Sequence, residues 1–280
     1  MSPDDAPVDG VVHLLHPPTA GASRVVATSA DRDDPQDDLA ALYAHSAPSS
    51  GALVRGNLVT TVDGAVAGPD GSSRSISPPL DQRVLVLLRS LADVVLVGAG
   101  TARAEGYGRL RVRPALRARR ATSGQAPAPT LALVTRSGRL PDAVGAPAAE
   151  DADDRGSVVA VTCGAAGAGT LASLRRRLGA DGVVVAGDDE VDLPAAVAAL
   201  ADRGLPRVLC EGGPALLGDV ARAGLLDELC LTTSPALVGG DAPRALVGPA
   251  LDRRLELAHL LLATGGEDDG TLLARWVVRR

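Results

Sequence analysis

The chain has 280 residues, a formal net charge of −6 and 46% hydrophobic residues, enough to bury one large core or two small ones. All 28 basic residues are arginine and phenylalanine is absent. The aromatic side chains are Tyr43, Tyr107 and Trp276, so core volume must come from Ala, Val and Leu, a skew we read as the codon bias of a GC-rich genome. The acidic balance and the shortage of stacking rings argue against a nucleic-acid partner. No apolar run approaches a membrane span, since Arg89 and Asp93 break the stretch at 84–97.

Residues 1–52 are poorly patterned and are expected to form an irregular N-terminal extension, with one helix near 36–45. They hold Pro17, Pro18, the acidic stretch at 31–40 and APSSG at 47–51. MSPDDAPVDG does not read as a signal peptide. Cys163, Cys210 and Cys230 are far apart and two lie in apolar runs, so buried reduced thiols and a cytoplasmic protein are expected. His13 and His16 sit three apart, but no third ligand accompanies them and no metal site is expected.

From residue 53 to 280 the pattern is regular and predicts one domain. ALVRGNLVT reads as a strand closed by the TVDG turn, 80–92 as a helix, and 93–100 as a buried strand. Strands at 130–135, 157–162, 181–187, 206–213 and 227–235 alternate with helices at 169–179, 193–204 and 214–225. This alternation implies an α/β fold with a mostly parallel central sheet and flanking helices. The tail, 255–280, reads as an antiparallel hairpin at the sheet edge. Loops are expected at 121–129 and 141–156.

Ligands of open α/β sheets bind beyond the carboxyl ends of the strands, and three such ends carry chemistry. In VLVGAGTARAE, Gly98 and Gly100 permit close backbone approach, and Thr101 falls where a helix N-terminus would meet a phosphate; Arg103 stands where a dinucleotide fingerprint needs glycine. In VLCEGGPALLGD, Gly212 and Gly213 end a strand, Pro214 opens a helix with Ala215 and Leu216, and Glu211 adds a carboxylate. In LVTRSGRLP, Thr135, Arg136 and Ser137 suit a phosphomonoester such as the 2′-phosphate of NADP. Tight turns and a helix-dipole acid explain the same residues without a ligand. Asp63 in TVDG could order a loop or act as a proton donor, with the acceptor of an Asx turn as the plainer reading. Arg109, Arg111 and Arg113 alternate along an extended segment, so all three are expected on one side, as a phosphate clamp or a solvated face.

Taken in order, NLVTTVDG, the segment 72–113, LVTRSGRLP and the segment 208–240 resemble the reductase domain of the riboflavin-biosynthesis deaminase–reductase, which is dihydrofolate-reductase-like. The resemblance covers about 55–280, in the flavour of stand-alone actinobacterial pyrimidine reductases. The HxE and PCxxC signature of the family's deaminase half is missing here. The resemblance implies NADPH-dependent reduction of the ribosyl group of 5-amino-6-(5-phosphoribosylamino)uracil to ribityl, by a homodimer. It places Val59, Ser75, Thr101, Glu105, the Thr135–Ser137 strand end and the loop from Gly213 on at the cofactor. Ser73, Arg89, Leu110, Arg113 and Glu211 fall on substrate positions, with Arg89 and Arg113 expected at the ribose 5-phosphate. Asp63 and Glu211 are the expected catalytic side chains. The sequence departs from the family at Asn57, often Lys, at Ser75, often Trp, and at GYG 106–108, usually Asn-Pro or Asp-Pro. The spacing from Thr101 to Arg113 is also one residue longer. A pterin reductase on the same fold and a non-catalytic nucleotide-binding relative are the competing readings.

Overall fold

A computed structural model describes residues 10–16, 24–26, 38–45, 51–144 and 155–279. Its strands are β1 (Val11–His16), β2 (Arg24–Val26), β3 (Leu53–Thr61), β4 (Val94–Gly98), β5 (Thr130–Val134), β6 (Val158–Thr162), β7 (Val183–Val185), β8 (Arg207–Gly212), β9 (Leu226–Ser234), β10 (Leu255–Thr264) and β11 (Leu272–Val278). The α-helices are α1 (Asp38–Leu42), α2 (Pro79–Leu91), α3 (Ala99–Ala104), α4 (Pro114–Thr122), α5 (Ala168–Leu178), α6 (Leu193–Asp202) and α7 (Pro214–Arg222).

Among the described residues, all the strands join one sheet in the order β2-β1-β10-β11-β9-β3-β8-β4-β5-β6-β7. From β9 to β7 every pairing is parallel. From β9 back to β2 every pairing is antiparallel. The expected α/β architecture is therefore present. The central strands are apolar on both faces because both are covered. Val95 and Val97 of β4 pack into the core with α2, while Val94 and Leu96 pack with α6 and α7 on the opposite side. Leu131 and Leu133 against Ala132 repeat this alternation on β5.

Two expectations need correction. The segment before residue 53 is not wholly irregular. β1 and β2 extend the sheet, and Val12, Leu14, Val26, Leu39 and Tyr43 are buried in its core. The alternating VVHLLH, with Val12 and Leu14 inward, was the strand signal. The predicted helix near 36–45 is α1. Residues 1–9, Pro17, Pro18, the acidic stretch up to 37, residues 46–50 and most of the 141–156 loop lie outside the described residues. The tail does form a hairpin of β10 and β11, but it is not at the sheet edge, because β1 adds to β10 and β2 adds to β1. A register shift interrupts β1 between His13 and His16, and His13 Nε2 hydrogen-bonds Thr264 Oγ1 at 3.1 Å. Cys163, Cys210 and Cys230 are buried free thiols, and no helix among the described residues is long and apolar enough to cross a membrane.

Candidate active site

Two hollows open at the carboxyl ends of the parallel strands, on either side of α3. The larger is a cleft of about 750 Å³ between β3, the exposed face of α2 and the loop after α3. The smaller, about 450 Å³, lies between the ends of β4, β5 and β6.

The cleft's chemistry begins with helix periodicity. Leu80, Val84, Leu87 and Leu88 of α2 enter the core, which leaves Asp81, Leu85 and Arg89, spaced by four, along the cleft. Arg89, in the last turn, meets Glu211 at the tip of β8: Nε donates to Oε1 at 2.8 Å and Nη2 to Oε2 at 2.7 Å. The side chains are 25% and 3% exposed respectively. Tyr107 Oη donates to Glu211 Oε2 at 2.6 Å, and the Arg89 guanidinium lies 5.4 Å from the Tyr107 ring centre. Burial works against the Arg89 charge, but the Glu211 carboxylate outweighs it and holds the guanidinium protonated. Burial, reinforced by Glu211, pushes the Tyr107 phenol well above its ordinary range, so it stays a hydrogen-bond donor.

Tyr107 reaches this place through a local backbone rule. Gly106, at φ +71°, ends α3 in the left-handed conformation that glycine adopts without strain, and the Tyr107 N–H closes back on Ala102 O at 2.8 Å. The GYG segment is thus a helix stop that turns an aromatic ring into the cleft.

The expected substrate residues are only partly brought together. Ser73, Leu110, Arg89 and Glu211 line the cleft with Arg109 and Arg111. Arg89 is paired with Glu211 through two of its donors. Arg113 does not line the cleft. It caps α4, where Pro114 fixes the first helical residue and ends the extended alternation begun at Arg109. Burial, with Arg155 nearby, lowers the pKa of Arg109.

The cofactor positions divide similarly. Gly100, Thr135, Arg136 and Ser137 line the smaller hollow together, a hydroxyl and guanidinium set that fits a phosphomonoester. Thr101 Oγ1 accepts the Gly213 N–H at 2.9 Å, joining the start of α3 to the start of α7 beside Gly98. That amide is therefore held by the protein itself, while Pro214, Ala215 and Leu216 form the first turn of α7 behind it. Val59 lines the cleft from β3. Glu105 also lines it, but its oxygens accept from Ser73 N at 3.1 Å and Ser72 Oγ at 3.2 Å, tying down the short turn at Ser73–Ile76. Ser75 is exposed outside the cleft, donating to Asp70 Oδ1 at 2.7 Å.

The contacts of Asp63 match its loop-ordering reading. The residue does not line the cleft. Its carboxylate accepts from Thr61 Oγ1, from Gly239 N at 2.6 Å and from Val238 N at 3.2 Å, pinning the loop after β9 to the TVDG turn. The Thr61 hydroxyl and these backbone amides hold its pKa below the ordinary carboxylate value, which suits an acceptor and not a proton donor.

Residues 52–266 match the model of the RibD C-terminal domain. The chain belongs to that family. It is 32% identical over 216 residues to the 2,5-diamino-6-ribosylamino-4(3H)-pyrimidinone 5′-phosphate reductase of Methanothermobacter thermautotrophicus, covering 76% of this chain and 93% of that one. It is 28% identical over 206 residues to the reductase of the same name from Archaeoglobus fulgidus, covering 73% and 90%. In fold it resembles a pyrimidine reductase-like protein of Corynebacterium diphtheriae, with a TM-score of 0.69, 24% identity, and coverage of 82% of this chain and 92% of that one. The chain is thus an oxidoreductase of the riboflavin-biosynthesis reductase type.

Sequence reasoning passed over two residues that line the cleft, Asp81 and Tyr107. The signal for Asp81 was its place four and eight residues before Leu85 and Arg89 on one helical face. The signal for Tyr107 was an aromatic ring between two glycines in a chain with only three aromatic residues.

Proposed function

We propose that the chain uses NADPH to reduce the ribosyl group of a ribosylaminopyrimidine 5′-phosphate to ribityl, with 5-amino-6-(5-phosphoribosylamino)uracil as the substrate. The observation that carries this reading is the buried Arg89–Glu211–Tyr107 cluster in a cleft that also holds Arg74, Arg109 and Arg111. The clamped carboxylate suits the hydroxyls of a sugar, and the further arginines suit its phosphate. Arg109 and Arg111 take the part first expected of Arg89 and Arg113. A pterin brings no phosphate to such a cleft, which favours the ribosyl substrate.

The smaller hollow fits the adenosine phosphate of NADPH through Thr135, Arg136 and Ser137. When bound, the nicotinamide supplies the hydride. The chain's own part is to align the sugar, hold the Glu211 carboxylate in place through Arg89, and hold the Tyr107 proton. A homodimer and a cytoplasmic location accompany this reading; sedimentation velocity tests the first.

The decisive assay is loss of NADPH absorbance with the phosphoribosylamino substrate, with dihydrofolate as the control. Arg109→Ala or Arg111→Ala should raise KM about 10- to 100-fold with little change in kcat, as expected for loss of a charged phosphate contact of about 1.5–3 kcal/mol. Turnover of dihydrofolate alone, or an unchanged KM in both variants, refutes the reading.

A further inference from the structure

Asp81 is the cleft residue whose setting the proposed chemistry has not yet used. It sits in the first turn of α2, 5% exposed, and lines the same cleft as Asn57 and Glu211. One oxygen is occupied, since Ser77 Oγ donates to Oδ2 at 2.5 Å. The other, Oδ1, is buried and makes no hydrogen bond within the protein. No arginine is among the groups acting on Asp81; its charged neighbour is another acid, Asp268 of the β10–β11 turn, which accepts Leu80 N at 2.7 Å. Thr232 of β9 supplies a second hydroxyl, and Tyr43 lies within electrostatic range. Further along the cleft, Arg89 is neutralised by Glu211.

A carboxyl buried beside a second carboxyl favours its neutral form. Burial, with Asp268 adding to it, raises the Asp81 pKa, and the Ser77 hydrogen bond together with the nearby Thr232 hydroxyl only partly opposes this. Because Oδ2 already accepts the Ser77 proton, the acid proton belongs on Oδ1.

Building on the ribosylaminopyrimidine reading, we propose that Asp81 is the general acid of the reduction, delivering the proton on Oδ1 to the substrate nitrogen as hydride reaches the adjacent carbon. Once the sugar ring has opened, the reacting bond is C1′=N. Hydride from the reduced nicotinamide forms the new C1′–H bond, and the C=N π pair moves to nitrogen. The Asp81 O–H bond breaks as the N–H bond forms, leaving a secondary amine, the oxidised nicotinamide and an Asp81 carboxylate that water reprotonates. One hydride and one proton are consumed.

The test uses the whole chain, NADPH and the phosphoribosylamino substrate, and follows the single-turnover rate of NADPH oxidation across pH. In the wild type the rate falls as pH rises through the Asp81 pKa. Asp81→Asn keeps the shape but cannot release a proton, and should lower the rate about 100-fold or more and abolish that limb. Infrared difference titration of the protein without substrate should show a protonated carboxyl band that Asp81→Asn lacks. Asp268→Asn keeps the acceptor for Leu80 N but removes the neighbouring charge, so the limb and the band should both move to lower pH. If Asp81→Asn does not fold, that shift decides. A wild type that turns over, with Asp81→Asn within a few-fold and the limb unchanged, or with the limb unmoved by Asp268→Asn, overturns this proposal alone. A wild type that never oxidises NADPH with this substrate overturns the functional reading and this proposal with it.

Discussion

Removing Arg89 should damage the protein more than neutralising Glu211. Three donors converge on the Glu211 carboxylate, two from Arg89 and one from Tyr107, and the carboxylate is 3% exposed. In Arg89→Met that charge stays buried with Tyr107 as its remaining named partner. Breaking a buried pair from one side costs about 3–5 kcal/mol, and we take about 3 because water reaches one edge of the pair. In Glu211→Gln the orphan is the guanidinium, already 25% exposed, which can turn to solvent; a loss of about 1–2 kcal/mol is expected. The double variant should lose less than the two singles together, since neither charge remains to be stranded. Urea unfolding at neutral pH measures this as a shift in midpoint at constant slope. With a total stability of about 5–15 kcal/mol, 3 kcal/mol is readily seen. Additive losses, or an Arg89→Met effect of under about 0.5 kcal/mol as for an exposed pair, would refute the reasoning.

His259 is 2% exposed, and burial, with Arg275 and Arg55 nearby, lowers its pKa from 6.5 to about 4. Because the folded value lies below the unfolded one, its contribution is intact above pH 6.5 and is lost as pH falls toward 4, about 3 kcal/mol in all; His259→Asn should flatten the fall in melting temperature over that window. Asp81 shifts the opposite way: its raised folded pKa favours folding in acid and disfavours it as pH rises, so Asp81→Asn should melt higher than wild type at pH 7, with the gap closing near pH 4. Gly213→Ala would place a methyl 2.5 Å from Thr101 Oγ1, displacing the acceptor of its own N–H. A loss of about 1–3 kcal/mol and weaker NADPH binding should follow, with Thr101→Ala relieving part of it; calorimetric melting and NADPH titration check both.

Much of the scaffold was legible because it obeys short-range rules. VVLVG is a two-faced strand by composition, PLDQRVLVLLRSL divides into a core face and a cleft face by counting to four, and EGGP is a strand end followed by a helix start. The failures also have local causes. VVHLLH alternates correctly but is short and lies among prolines and acids, so its composition concealed a strand that pairs with residues some 250 positions away. The Arg109–Arg113 alternation was read one residue pair too far, because Pro114 begins a helix and removes Arg113 from the face.

Roles within the site were harder to read than its membership, and the reason is electrostatic. Each of Arg89, Asp63 and Glu105 was identified by what its charge might do for a ligand. In the folded chain each charge first answers to the protein: Arg89 to a carboxylate 122 positions away, Asp63 to two backbone amides 175 and 176 positions away, Glu105 to a turn 32 and 33 positions back. A buried or looped charge must be compensated before the chain is stable, so a charge legible in the sequence can serve the frame first. That inverts the sequence reading. Arg89, the most legible charge, becomes a holder of Glu211. Asp81, which gives little local signal, lines the cleft and has one buried carboxylate oxygen that no group of the protein hydrogen-bonds, and a group in that condition can exchange a proton with a ligand without dismantling the fold.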